Sequence, residues 1–416
     1  MNALVGANQR SFTYDSSWGT TQGLSLPGVY NLNNSSAKPY IYSFSSKMQV
    51  YSGFYSFDIG YKNYFNINTT NRVDNLSTLP KGSNTYFYPS VALSSAISDY
   101  VELPTAISFL KVRGSAAMVE AGLTQATIGS AYLQTTGNTV GSNALLGYGS
   151  ELYTSYDGPS YTNQNTVSSV SYYNNTPSVA YSNTLANQNL KAEKRISYEA
   201  GFDIKFLDNR LGLDATYFTT DNGPLIFPLP SAPSTTFTSA NYNAVKTKRA
   251  GYEIALNGSP FRNPNGFSWD INLNYSTYKE TLTDLVVDRQ FLSIQNHNFK
   301  VGDRTDEVYG TKYQRDGNGN VVYDASGALL KATGSNSQTT GLLGHLNPDF
   351  SFGINNRFSY KNWSLSFQFD GRIGGVIYDY NYYAARQGGT DLSTVQGVIG
   401  AARLAEWQST ATGTKA

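Results

Sequence analysis

The stretch that decides the fold is Ser197-Tyr198-Glu199-Ala200-Gly201-Phe202-Asp203-Ile204-Lys205-Phe206. All its even-numbered residues are apolar, and its odd-numbered residues are polar or charged apart from one glycine. Successive side chains of a β-strand point to opposite sides, so this period of two predicts a strand with one apolar and one polar face. The alternation resumes at Leu211 after a four-residue turn. The two segments are therefore predicted to form a β-hairpin.

The same design recurs along most of the chain. The other predicted strand pairs are 53–61 with 65–72, 87–98 with 108–117, 250–256 with 267–276, and 350–358 with 363–370. Counted along the chain, the connections alternate between short and long: 62–63, 73–86, 99–107, 118–195, 207–210, 221–247, 260–266, 280–348 and 360–362. Short turns at one end and long loops at the other are typical of an outer-membrane β-barrel. Strands of about 9 to 11 residues suit a tilted membrane crossing.

A soluble β-sandwich also has one apolar face on each strand. Two features favour the membrane barrel over it. Loops of some 70 residues are uncommon in compact domains, and aromatic residues cluster beside the short turns, as they do at a membrane interface. These residues are Tyr61, Tyr64, Phe206, Phe261, Phe267, Tyr360 and Trp363.

The composition excludes several other classes of protein. With 30 basic and 29 acidic residues the net charge is +1, which gives no basic surface for nucleic acid, so nucleic acid is not expected as a partner. The absence of cysteine excludes disulfides and cysteine-based zinc sites. The sequence contains no apolar run of about 18 residues, so no transmembrane helix is predicted. The first residues do not resemble a signal peptide. We therefore expect that a signal was removed or that Met1 lies inside a longer chain.

Neither a catalytic nor a metal site is predicted. The segment 316–320 resembles part of a calcium loop, but Val321 and Gly327 occupy the positions where an EF-hand needs Gly and Glu. A tight turn followed by a short strand at 321–323 is expected instead. Carboxylates on the polar strand faces are not spaced as a glycosidase pair. No cofactor is expected.

We interpret the polar strand positions as the lining of a water-filled lumen. The candidate solute contacts in this lumen are Asp203, Asp214, Asp270, Asn272, Asn274 and Gln368. Three tyrosines of the first very long loop, Tyr153, Tyr156 and Tyr161, either bind solute by stacking or pack within the loop.

Several motifs resemble the SusC/RagA-like TonB-dependent transporters of the Bacteroidetes outer membrane. The densest match is Leu190-Lys191-Ala192-Glu193-Lys194 followed by residues 197–203 and by Asn209-Arg210-Leu211-Gly212-Leu213-Asp214. The family usually has Pro where Ala192 stands, and a Gly-rich segment where 116–120 reads Ala-Ala-Met-Val-Glu. Supporting matches, in the order of the family, are 88–90, 110–113, 249–253, 267–269, 346–350 and 374–378.

The resemblance implies a fold, a function and partners. The expected fold is all-β, an antiparallel transmembrane barrel wall of about 11 to 12 strands that spans residues 1–416 as one partial domain. The family's plug, TonB box, signal peptide and closing strands are expected to be absent from it, since plugged transporters have about 22 strands. The expected function is uptake of oligosaccharides or peptides with a SusD-like surface lipoprotein, driven by the TonB complex through the plug. The alternatives are a passive porin or adhesin barrel and a soluble β-rich glycan-binding protein.

If the strands line a barrel, their two faces meet different surroundings. We expect Phe202, Ile204, Trp269, Leu273, Leu365 and Phe367 to contact lipid, and Asp203, Asp270, Asn272 and Gln368 to face inward. The loops 118–195 and 280–348 are expected to bind a partner, because long loops usually carry function. Removal of 145–175 should then weaken capture of the lipoprotein.

Overall fold

The computed structural model contains a large antiparallel sheet and, among the residues it describes, two α-helices. It describes the following residues: 1–21, 23–62, 64–122, 127–128, 159–160, 163, 167–173, 176–181, 183–263, 265–285, 292–294, 297–323, 330 and 340–411. The chain divides into two compact units, one of residues 1–305 and 350–371 and the other of residues 306–349 and 372–416.

The strands and helices follow one another in this order. The strands are β1 (Asn2–Thr20), β2 (Tyr40–Tyr61), β3 (Phe65–Leu76), β4 (Thr85–Ala96), β5 (Ile107–Ala121), β6 (Thr127–Ile128), β7 (Pro159–Ser160), β8 (Val167–Tyr173), β9 (Thr176–Tyr181), β10 (Thr184–Leu185), β11 (Glu193–Phe206), β12 (Leu211–Pro230), β13 (Ser239–Phe261), β14 (Phe267–Leu285), β15 (Leu292–Ile294), β16 (His297–Phe299), β17 (Glu307–Thr311), β18 (Thr340–His345), β19 (Phe350–Tyr360) and β20 (Trp363–Ile373). The helices are α1 (Tyr380–Gln387) and α2 (Gly397–Ala411).

Eleven strands form one antiparallel sheet in which sequential hairpins lie side by side. Its order is β1-β2-β3-β4-β5-β11-β12-β13-β14-β19-β20, and β10 adds a short parallel pairing to β13. The predicted hairpins are confirmed, and so is the strand count of 11 to 12. Within the described residues, β1 and β20 are the two ends of this order.

Cross-strand pairing separates the side chains into two faces. Phe202 pairs with Ala215, which pairs with Ile254. One row farther toward the short turns, residues of six neighbouring strands form a continuous aliphatic line. Its members are Leu110, Ile204, Leu213, Leu256, Leu273 and Ile354. We call this side of the sheet the apolar face.

The opposite side, the polar face, carries the alternate residues. Lys111 pairs with Asp203, and Asp203 pairs with Asp214. Asn257, Asn272 and Asn355 form a row of amides on the next strands. The predicted separation is therefore confirmed for the two sets of side chains in β11 and β14. In β20 the Phe367 ring stacks on Phe358 of the apolar face, whereas Gln368 contacts Asn355 of the polar face.

Aromatic rings border the apolar face beside the short turns. Phe261, Trp269, Phe358 and Phe367 stack in series with centroid separations of 6.3, 5.7 and 5.9 Å. Trp269 Nε1 donates to Asn356 Oδ1 at 3.2 Å, so the indole N–H and the amide oxygen of Asn356 are paired with each other. Stacked rings with a hydrogen-bonded indole fit a membrane interface, where one end of the ring is wet.

The strands are longer than the alternation predicts. β13 has 23 residues and β2 has 22, against an expected 9 to 11. The predicted loops 73–86 and 221–247 were therefore wrong in extent, since the connections are 77–84 and 231–238. Polar and apolar residues alternate only in the part of a strand where one face lies against an apolar environment. Beyond that part, both faces accept polar residues while the backbone pairing continues.

At the long-loop end, two clusters of buried apolar side chains lie on the side of the sheet that is polar elsewhere. One contains Met48, Leu76, Leu79 and Tyr86, with Phe12 packed against it. The members of the other are Leu229, Ala244, Val245, Leu282, Leu292 and Phe299. The second cluster includes Leu292 of β15 and Phe299 of β16, so these two strands pack onto the sheet.

The second unit contains the β17–β18 hairpin and both helices, which the all-β prediction did not include. Asp379 caps α1 by accepting from Tyr382 N at 2.8 Å. Alanines at 401, 402, 405 and 411 favour the helix of α2. Among the described residues no helix is both long and apolar enough to cross a membrane.

The aliphatic row leads to a first prediction. Leu273→Arg places a charge in the middle of the apolar face, and near the midplane this should destabilise the membrane-inserted fold by about 2 to 4 kcal/mol. Asn272→Arg, one residue away on the polar face, should be nearly neutral. Urea unfolding of the protein from lipid vesicles measures both changes. Equal effects of the two substitutions would contradict the assignment of the faces.

Candidate functional site on the polar face

The six predicted lining residues that the structure describes all lie on the polar face. Asp203 and Asp214 are directly paired, and Asn272 and Asn274 lie two residues apart on β14. Gln368 donates to both carboxylate oxygens of Asp370 at 2.9 and 2.8 Å. The three tyrosines Tyr153, Tyr156 and Tyr161 lie outside the described residues.

Arg113 is the central cation of this face, and the sequence prediction missed it. Its Nη1 donates to Asp214 Oδ2 at 2.9 Å, and its Nη2 donates to Asp214 Oδ1 and Thr216 Oγ1, both at 2.6 Å. Two carboxylates directly opposite each other repel. The bidentate guanidinium, with Lys111 beside Asp203, offsets this repulsion. Asp214 is thus an anchored residue and is less available to solute than Asp203.

Gly201 makes this ion pair possible. It lies between Arg113 and Thr216 in their row of the sheet. A Cβ at this position would be 2.8 Å from Ala215 O, 3.0 Å from Thr216 Oγ1 and 3.1 Å from Arg113 Nε. Because glycine has no side chain, the guanidinium can cross the strand to reach Asp214.

Two depressions lie on the polar face. The first, of about 270 Å³, is lined by small residues together with Asn66, Leu93, Lys111, Arg113, Glu199 and Thr216. The second, of about 460 Å³, lies nearer the short turns and is lined by Asn209, Arg210, Asn257, Gly258, Ser259, Asp270, Asn272, Asn355 and Arg357. The structure therefore brings Asp270 and Asn272 together in one polar depression, with Arg357 paired opposite Asp270.

These depressions offer both hydrogen-bond donors and hydrogen-bond acceptors. Ser259 Oγ donates to Asp270 at 2.6 Å, and the amide row presents donors and acceptors side by side. Such a surface can bind hydroxyl, amide or carboxylate groups weakly at many points. Among the described residues, no group of three or more His, Asp or Glu side chains could hold a metal ion.

A second polar network lies at the long-loop end, around Glu280. Glu280 Oε1 accepts from Thr247 Oγ1 at 2.5 Å and from Asn222 Nδ2 at 3.2 Å, while Glu280 Oε2 accepts from Arg249 Nη2 at 2.9 Å. Burial alone would raise the pKa of Glu280, but the hydrogen bonds from Thr247 and Arg249 outweigh it and lower this pKa. The guanidinium of Arg249 also lies 4.7 Å from the ring centroid of Tyr278.

The turn at 316–320 forms as predicted. Asp316 Oδ1 accepts from Asn318 N and Asn320 N, both at 2.8 Å, and Gly319 N donates to Asp316 O at 3.0 Å. At 321–323 the described residues form isolated bridges, one of them between Arg315 and Val321, in place of the expected strand.

The sequence is similar to proteins of one family. The family model described as TonB dependent receptor-like, beta-barrel matches residues 2–370. TonB-dependent receptor P3 of Formosa agariphila is 29% identical over 218 residues, which is 47% of this chain and 22% of the relative. TonB-dependent receptor SusC of Bacteroides thetaiotaomicron is 24% identical over 217 residues, 46% of this chain and 20% of the relative.

Among solved structures, the RagAB peptide importer in its closed-closed state has a similar fold. The TM-score is 0.68 at 16% sequence identity, and the match covers 90% of this chain and 39% of that chain. This likeness concerns the fold alone. The matches span about a fifth of the length of both curated relatives.

The close approach at Gly201 leads to a second prediction. Gly201→Ala should displace Arg113 from Asp214 and cost about 1 to 3 kcal/mol, because its Cβ would overlap a backbone oxygen. Gly53→Ala is the matched control, since a Cβ there meets nothing within 4 Å. Thermal unfolding of the two variants in detergent measures the difference. A loss of stability no larger than that of the control would contradict the proposed role of the glycine.

The Glu280 network leads to a third prediction. A carboxyl whose folded pKa is lowered stabilises the fold above its unfolded pKa, and this contribution is lost as the pH falls through the folded pKa. Hydrogen exchange, corrected for intrinsic rate, should show residues 245–250 opening more readily at acidic pH than at pH 7. Glu280→Gln should remove this dependence and Glu253→Gln should retain it. A pH dependence that survives in Glu280→Gln would contradict the prediction.

Proposed function

The chain belongs to the TonB-dependent receptor-like β-barrel family, and we propose that it forms part of the wall of an energised outer-membrane importer. Barrels of this family lie in the outer membrane, and the two faces of the sheet fit that location. The resemblance to SusC/RagA-like transporters is confirmed, and the soluble alternative is wrong. The family contains transporters and receptors rather than enzymes.

The observation that carries the proposal is the polar face. Charged and amide side chains line it, with Arg113, Asp214 and Thr216 already joined to one another. Hydrocarbon cannot accommodate such a surface, so it must face water, plug or solute. We infer that Asp203, Asp270, Asn272, Asn274 and Gln368 contact passing solute, whereas Asp214 mainly anchors Arg113.

The chemistry of this face suits passage more than retention. A solute that enters a pore must bind strongly enough to enter and weakly enough to leave. The row Asn257, Asn272 and Asn355 can exchange hydrogen bonds with a moving hydroxyl or amide. In the adjoining row Asp270 is paired opposite Arg357, so these two charges create no strong electrostatic trap.

We propose oligosaccharides or peptides as the solute class, and a SusD-like surface lipoprotein and the TonB complex as partners. The likeness to SusC supports this, as does the fold shared with a protein described as a peptide importer. In this proposal the lipoprotein captures solute at the long-loop end. The TonB complex then acts on a plug that other parts of the full-length protein supply.

The runner-up is a passive porin or adhesin barrel. A lumen lined with polar groups would serve a passive pore equally well. The family match favours the energised importer, because the family is defined by TonB-dependent receptors. Dependence of uptake on TonB separates the two.

Uptake of labelled oligosaccharides and peptides by cells that carry the full-length protein tests the proposal. Uptake should cease when TonB is deleted, because an energised importer admits solute only when the plug is moved. Uptake that persists without TonB would instead support the passive pore. Asn272→Leu/Asn274→Leu should slow uptake several-fold at equal surface abundance, because it removes hydrogen-bonding groups from the polar face. Leu273→Ile, between them on the apolar face, should leave it unchanged.

A further inference from the structure

Two neighbouring short turns form a basic rim beside the apolar face. The turn 262–266 joins β13 to β14, and the turn 361–362 joins β19 to β20. They are adjacent because Phe267 pairs with Tyr360. Each turn carries one cation, Arg262 or Lys361, and neither contains an acidic residue.

Both cations are exposed, and within the described part of the chain neither takes part in an ion pair. Lys361 has a φ of 54°, a left-handed turn conformation. Its Nζ lies 5.4 Å from the ring centroid of Tyr360. An ammonium held against a ring by a cation–π contact keeps its other side free for an anion. The rim therefore presents two positive charges without a protein counterion.

An aromatic surface lies directly beside this rim. Phe261 and Phe267, which flank the first turn, have centroids 5.8 Å apart, and the stack continues through Trp269 and Phe358. Trp363, just after the second turn, is 83% exposed. This surface is on the apolar face, so it meets acyl chains where the rim meets the headgroup region.

Of the short turns, the one after β2 is the most similar, because Lys62 has a φ of 51° and lies over the rings of Tyr61 and Tyr64. It has no second cationic turn beside it, since the neighbouring connection between β4 and β5 is acidic. The connection 97–106 carries Asp99 and Glu102, and the turn 207–210 carries both Asp208 and Arg210. Acidic residues there would repel an anionic headgroup. Charge complementarity thus singles out the rim of Arg262 and Lys361 from the neighbouring turns of the same membrane interface.

We propose that Arg262, Lys361 and the adjoining aromatic surface form a binding site for an anionic glycerophospholipid. The two cations bind the headgroup phosphate, and the rings of Phe261, Phe267 and Trp363 contact the upper acyl chains. Short turns of outer-membrane barrels are periplasmic, so the lipid belongs to the periplasmic leaflet. The site depends on membrane insertion alone and not on the cargo.

Photo-crosslinking in nanodiscs tests the site on the full-length protein. Phosphatidylglycerol and phosphatidylcholine, each with a diazirine near the headgroup, are compared in separate nanodiscs. Crosslinked peptides are then mapped by mass spectrometry. Each cation near an anionic lipid favours binding about fivefold. With two cations, peptides covering 260–270 and 358–366 should therefore crosslink to phosphatidylglycerol about 25-fold more than to phosphatidylcholine, whereas peptides covering 97–106 should show little preference.

Three variants make the result decisive. Arg262→Gln/Lys361→Gln should bring the preference close to one while crosslinking to phosphatidylcholine persists, which shows that the barrel is still inserted. Arg262→Lys/Lys361→Arg, which conserves both charges, should keep the preference. Lys81→Gln/Lys300→Gln removes the same charge in connections at the long-loop end and should also keep it. Equal crosslinking of the two lipids in the unmodified protein, or a preference that survives in the Gln variant, would overturn the proposal.

Discussion

The structure depends on one constraint, the need to pair every backbone N–H and C=O group inside hydrocarbon. Water is absent there, and each unpaired group costs several kcal/mol. Sequential hairpins satisfy the constraint for the strands between β1 and β20, because each of them pairs with a neighbour on both sides. Once the ladder is fixed, side chains must alternate between lipid and water. The aliphatic row through Ile204 and Leu273 and the polar row through Asp203 and Asp214 are the two results.

The polar face has a stability problem of its own, because it brings like charges together. Asp203 and Asp214 are directly opposite, and the sheet allows them because Arg113 reaches Asp214 across Gly201. The same face therefore contains residues with two kinds of role. Arg113 and Asp214 stabilise the wall, while Asp270 and Asn272 remain in an open depression where solute can reach them. The alternation of polar and apolar residues does not distinguish these roles, since all four occupy polar positions.

The sequence predicted the hairpins, the faces and the family, because each leaves a local signal: the period of two, the short turns and the motif around Tyr198. It did not predict how far β12 and β13 extend, since their ends beyond the membrane span have no one-sided pattern. Arg113 was in phase with Lys111, so it could have been placed on the polar face, but its partner Asp214 is 101 residues away. Asp379 is a typical N-cap residue and could have indicated the start of α1, but the prediction was based on strand patterns and did not use it.

The central claim is that one face of the sheet contacts lipid and the other contacts water. Because the chain contains no cysteine, single cysteines can be introduced from Ser197 to Phe206 and spin-labelled in the reconstituted protein. Accessibility to oxygen, which partitions into lipid, should be high at Tyr198, Ala200, Phe202 and Ile204. Accessibility to a water-soluble nickel complex should be high at Glu199, Asp203 and Lys205 unless a plug covers them, in which case both should be low. Absence of a period of two, or oxygen maxima at the acidic positions, would contradict the account.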